Sequence, residues 1–127
     1  MTAVRVADTS FLYALFSRSD DFHGKAVRAA EARDAITIPA EIFAETMALI
    51  HHRQGFDAAR GAGEWIRRQP YLEIGAPNTV ALEASWRIFL GARGRLSYPD
   101  AVVVAWCRRR GSVALSYDAR ILAFARK

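Results

Sequence analysis

Cysteine is almost absent: Cys107 is the only one in 127 residues. An internal disulfide is therefore impossible, and so is a zinc site built from cysteines. Lysine is nearly as scarce, with Lys25 and Lys127 the only two among 18 basic residues. Acidic residues are in deficit too, 13 against those 18, which leaves a formal net charge of +5. No apolar run approaches the roughly 20 residues that a bilayer span requires. The longest apolar stretch near the N-terminus, Phe11 to Phe16, is short and follows Asp8. It does not read as a secretory signal, and the expected location is the cytosol. Stretches rich in Pro, Gly or Ser are also missing, so no linker divides the chain, and residues 1–127 are expected to form one domain.

What is present is an ordinary globular composition, 52% hydrophobic and 24% charged, with a basic excess carried by arginine. That balance suits a polyanionic partner, because neutralised phosphates release counterions and the arginine fork matches two oxygens at once. Short β-type runs alternate with longer helical ones. Val4–Ala7, Ala35–Ile38, Tyr71–Ile74 and Ser112–Ser116 read as strands. Helices are expected from Ser10 to Ser17 (capped by Thr9 or Ser10), Lys25 to Arg33, Pro39 to Arg53, Asp57 to Gln69, Thr79 to Ala92, Asp100 to Arg110 and Ala119 to Arg126. Such alternation predicts an α/β fold, a mostly parallel sheet of four to five strands covered by helices on both faces. Ligands of these sheets sit outside the carboxyl ends of the strands.

Acids fall at that edge. Asp8 follows the first strand, Asp118 follows the last, Asp100 opens a helix, and Glu45 lies early in the helix after the second strand. All four can converge on one rim. Two like charges 4 Å apart cost about 4 kcal/mol at an effective dielectric of 20, so the cluster needs protons or a cation. An oxygen-only donor set suits a hard ion, Mg²⁺ or Mn²⁺, which can activate water beside a phosphodiester.

The ordered set Val-Ala-Asp8-Thr-Ser10, Ala-Glu45-Thr, Leu-Ser-Tyr-Pro-Asp100-Ala and Leu-Ser116-Tyr-Asp118 resembles the PIN-domain family, most closely its VapC-type toxins. The resemblance spans essentially the whole chain. It implies a Mg²⁺- or Mn²⁺-dependent endoribonuclease, a homodimer, and inhibition by a VapB-type antitoxin. It also implies that Asp8, Glu45, Asp100 and Asp118 form the acidic catalytic and metal site, with Ser10 and Ser116 beside it. Glu41, one turn before Glu45, fits the spacing from the second strand less well.

Arg93 and Arg95, in the loop leading to Asp100, are the better candidates for RNA backbone contacts, ahead of Arg108, Arg109 and Arg110 at the far end of that helix. His51 and His52 read as a polar helix end, and His23 as solvated. Trp65, Trp86 and Trp106 suit core or dimer packing. Helix faces carrying Phe43, Met47, Trp65 or Ile66 are candidates for an inhibitor groove or dimer surface. A phosphoryl-receiver domain is excluded, because neither lysine follows a late strand. The remaining alternative is a non-catalytic RNA-binding or protein-interaction module that keeps the acids without the activity.

Overall fold

The computed structural model describes residues 4–126; Lys127 lies outside them. The described residues form β1 (Arg5–Ala7), α1 (Thr9–Phe16), α2 (His23–Glu31), β2 (Ile36–Pro39), α3 (Ala40–Gln54), α4 (Phe56–Arg68), β3 (Leu72–Gly75), α5 (Thr79–Ala92), α6 (Tyr98–Arg110), β4 (Val113–Leu115) and α7 (Ala119–Ala125). The four strands are parallel, in the order β3-β2-β1-β4. Connections from β1 to β2 to β3 move one way across the sheet, and the connection to β4 returns past them. With right-handed crossovers, α1 to α4 cover one face and α5 and α6 the other. The reversal falls between β1 and β4, which is where a parallel sheet opens a crevice.

The first helix begins differently from expectation. Asp8, not Thr9 or Ser10, is the N-cap of α1, its carboxylate accepting the Phe11 N–H at 2.9 Å. A carboxylate satisfies the orphan amides and also meets the positive end of the helix dipole. Pro39 is the N-cap of α3 rather than its first residue, and it also pairs with Gly75 as the last residue of β2. Proline tolerates that place because its missing N–H falls at the end of the ladder. His23 is not free in solvent. Its Nδ1–H donates to the Ala14 carbonyl at 2.7 Å and so ties the start of α2 to α1.

The core is centred on α6, whose residues Ala101 to Cys107 are all buried. A helix apolar on every side needs neighbours on every side, and it has α5, α7 and the sheet. Trp106 lies across the end of β3. A Cβ added to Gly75 would come within 2.5 Å of the Trp106 ring and 3.3 Å of the Thr37 methyl. Arg110 closes this corner, its guanidinium 4.6 Å over the Trp106 ring and donating to Thr37 Oγ1 at 3.0 Å. Ile66 is fully buried in the same core, packed inside the chain and unable to serve a docking surface. Gly75→Ala is expected to cost about 1–3 kcal/mol of stability by overpacking. Urea unfolding measures it, and a variant as stable as the wild type would contradict the close approach.

Candidate active site

The end of β1 carries a carboxylate into the interior. Asp8 is 3% exposed and is held by three donors. Ser116 Oγ donates to Oδ2 at 2.6 Å, Ser10 Oγ approaches both oxygens at 2.8 and 2.9 Å, and Phe11 N–H reaches Oδ1. Each serine is itself fixed by the β4–α7 turn. Ser116 Oγ accepts the Asp118 N–H at 3.0 Å, and Ser10 Oγ accepts the Tyr117 N–H at 3.0 Å. The backbone is joined as well, because Asp8 N–H donates to Leu115 O at 3.2 Å. Burial raises the Asp8 carboxyl above its ordinary value. The hydrogen bonds from Ser116, Phe11 and Ser10 oppose that shift, and the Asp100 charge adds to it. Among the described residues no cation pairs with Asp8.

Asp100 is placed by the start of α6. Ser97 caps that helix, accepting Asp100 N–H at 3.2 Å, while the Asp100 carboxylate accepts Ser97 N–H at 3.2 Å. This reciprocal box fixes the acid in the first turn, near enough for its charge to act on both Asp8 and Arg120. Asp118 is the N-cap of α7. Burial pushes its carboxyl up, but Arg120, through its side chain at 3.1 and 3.3 Å and its amide at 2.9 Å, holds it below the usual range. Glu45 is half-buried on α3 and accepts a hydrogen bond from the Thr9 hydroxyl, next to Asp8 in the chain. The four acids thus stand around one edge, yet they are not drawn into a single ligand cluster. Among the described residues, no group of three or more His, Cys, Asp or Glu side chains is gathered closely enough to hold a metal ion.

The surrounding cations are more committed than sequence alone indicated. Arg93 adopts the left-handed conformation at the C-cap of α5 and its side chain is exposed. Arg95 donates to Ala92 O at 3.0 Å and lies 5.1 Å over the Phe124 ring. Arg108 donates to Phe124 O and Arg109 reaches Asn78, so with Arg110 these three tie α6 to its neighbours. Glu41 has one buried oxygen without a hydrogen-bond partner and stands near Asn78 and Leu82, so it does not join the Asp8 network. The Cys107 thiol is pushed up to about 11 by burial and the Asp8 charge, which removes it as a nucleophile. Sequence reasoning missed Thr9, Tyr117 and Arg120. The first two flank predicted residues, and a signal existed in that adjacency, whereas the reach of Arg120 back to Asp118 depends on the turn.

The sequence profile of the PIN domain matches residues 5–127. No curated protein sequence matches the chain significantly. Among solved structures, the chain is similar to Mycobacterium tuberculosis VapC20, a toxin that cleaves the sarcin–ricin loop. That likeness has a TM-score of 0.82 at 26% identity and covers 95% of this chain and 94% of the other. It also shares its fold with a chain in VapBC2 from Rickettsia felis bound to promoter DNA, with a TM-score of 0.73 at 8% identity over 95% and 92%.

The raised Asp8 value has a consequence for stability. Between the ordinary carboxylate value and the raised one, the folded state holds its proton where the unfolded chain has lost it. Stability therefore falls as pH rises through the folded value, and the penalty is complete above it. Asp8→Asn is expected to be more stable than the wild type at pH 7 in metal-free buffer, with the advantage shrinking towards pH 3. Urea unfolding at both pH values tests this, and an advantage independent of pH would contradict the buried-charge assignment.

Proposed function

The chain belongs to the PIN-domain family, and we propose that it is a VapC-type toxin, an endoribonuclease that hydrolyses RNA phosphodiester bonds with Mg²⁺ or Mn²⁺. The observation that carries this reading is Asp8, a buried carboxylate at the chain reversal of a parallel sheet with hydrogen-bond donors but, among the described residues, no cationic partner. Such a group is costly unless something positive meets it. The similarity to VapC20 supports the same reading.

The donor set fits a hard divalent ion in its chemistry, since every candidate ligand is a carboxylate oxygen. Asp8, Glu45, Asp100 and Asp118 would hold it. When bound, such an ion supplies charge to a phosphodiester transition state and lowers the pKa of water. The chain's own contributions are positional. Ser10 and Ser116 orient Asp8, Thr9 holds Glu45, the Ser97 box holds Asp100, and Arg120 holds Asp118. Arg93 and Arg95 are proposed to meet the RNA backbone from the loop before Asp100, with Arg93 the freer of the two.

A toxin of this kind acts in the cytoplasm under the control of an inhibitor, and the reading includes a VapB-type antitoxin and a homodimer. A basic side chain of the inhibitor would satisfy the same acids that otherwise need a cation. Trp86, Leu82 and Leu90 are half-exposed on α5 and offer an apolar face for the dimer. No helix among the described residues is long and apolar enough to cross a membrane. The alternative, a non-catalytic module, is separated by one experiment. Mg²⁺-dependent cleavage of RNA by the purified protein is expected, falling at least ~100-fold in Asp8→Asn and in Asp100→Asn. Full activity in either variant would overturn the carboxylate mechanism. RNA binding without cleavage in the wild type would favour the alternative. Parallel arms measure mass by light scattering, inhibition by a co-expressed antitoxin against Mg²⁺ concentration, and the salt dependence of binding in Arg93→Ala.

A further inference from the structure

A cleft of about 480 Å³ opens beside the acidic edge. Thr9, Ser10 and Asp118 line it, and Phe22, Tyr117 and Arg53 are among its other walls. A space of that size accommodates a small planar ligand. The cleft lined by Leu15, Phe16, Trp65 and Tyr71, by contrast, includes none of the four acids.

The aromatic pair in this cleft is unusually well placed. The rings of Phe22 and Tyr117 stack 4.6 Å apart with planes inclined by 10°. Tyr117 is backed by Phe11, which is fully buried, at 6.3 Å. Its amide donates to Ser10 Oγ, the same hydroxyl that holds the Asp8 carboxylate. Phe22 is held at the other side by its own amide, which donates to the Asp20 carboxylate at 2.9 Å. Nevertheless Phe22 is 44% exposed. An aromatic ring stacked on a fixed partner and left open to solvent is a platform. Two cations stand by these rings, Lys25 Nζ 5.7 Å from the Tyr117 ring centroid and Arg53 5.0 Å over Tyr13, while Asp20 and Asp118 are the acidic members of the cleft walls. An aromatic face combined with cations is how single-stranded nucleic acids are held, because every base offers a π-face and every linkage a phosphate.

We propose that this cleft takes one unpaired nucleobase of the substrate RNA, stacked on the Phe22–Tyr117 pair, with Lys25 and Arg53 meeting the adjoining phosphates. The inference rests on the ribonuclease reading and deepens it, because a base inside a duplex has both faces covered by its neighbours. The RNA cleaved is then single-stranded or looped at the position next to the scissile bond. Phe22 and Tyr117 are substrate-binding residues, and their register relative to Asp8 is set by the two serines.

The test uses short single-stranded RNAs, each with one 2-aminopurine placed at a successive position; this base dims when stacked. They are titrated into the Asp100→Asn protein with Mg²⁺, reading anisotropy for binding and 2-aminopurine intensity for stacking. Dimming is expected at one position, with no comparable change for the same RNA in a duplex. Phe22→Ala should abolish the dimming and weaken binding about tenfold, within the range that base–aromatic stacking spans. Phe22→Trp should restore both, which separates lost stacking from lost folding, and thermal unfolding of each variant checks the fold. Binding by anisotropy with dimming that survives Phe22→Ala, or with none at any position, would overturn the base site while leaving the ribonuclease reading intact. No binding of any RNA would overturn both.

Discussion

The burial of one carboxylate organises the rest of the molecule. Asp8 sits where β1 ends, between the β2 side of the sheet and β4, and water is excluded from it. Hydrogen-bond donors make this tolerable, and those donors come from segments more than a hundred residues apart in the chain. Ser116 and Ser10 each donate to the acid and accept an amide from the β4–α7 turn, so the acid cannot be placed unless that turn is. The N-cap of α1 is made by the same carboxylate. One side chain therefore starts a helix, fastens two adjacent strand ends and carries the charge on which the proposed chemistry depends. A buried network of this kind specifies a single arrangement only when every member is satisfied.

The remaining acids are handled in contrasting ways. Asp118 has its own cation in Arg120, Asp100 has a helix start, and Glu45 has a hydroxyl. Burial raises the Asp8 carboxyl above its ordinary value whereas Arg120 holds that of Asp118 below it, which makes Asp8 a position where an external positive charge contributes strongly. The excess of arginine is also put to more than one use. Arg108, Arg109 and Arg110 bind α6 to other elements, and Arg95 covers Phe124. A net charge of +5 thus overstates the cationic surface open to a polyanion.

Much of this was legible in the amino-acid order. Four short β-type runs and seven helical ones predict a parallel α/β fold, and all four strands were found within a residue or so of their expected limits. The position of acids after strand ends follows from the same alternation. Other features depend on tertiary contacts that no local pattern encodes. Asp8 displaced Thr9 and Ser10 as the cap because those hydroxyls point to Glu45 and to the Asp8 carboxylate itself. Pro39 ends β2 opposite Gly75 and is at the same time the N-cap of α3, so the helix starts one residue later than expected. The Phe22–Tyr117 stack joins residues far apart in the chain, and Phe22 falls between two expected helices, where no local pattern marks it.

The proposed chemistry depends most on Asp8 serving as the anchor for a divalent cation. Its most direct test is the thermal stability of the wild type and of Asp8→Asn across a Mn²⁺ series, a binding readout independent of RNA. Linkage requires the wild type to gain about 2.7 kcal/mol when the ion is at 100 times its Kd. The predicted result is a rise in Tm with Mn²⁺ for the wild type and little or none for Asp8→Asn. An equal rise in both proteins would contradict it.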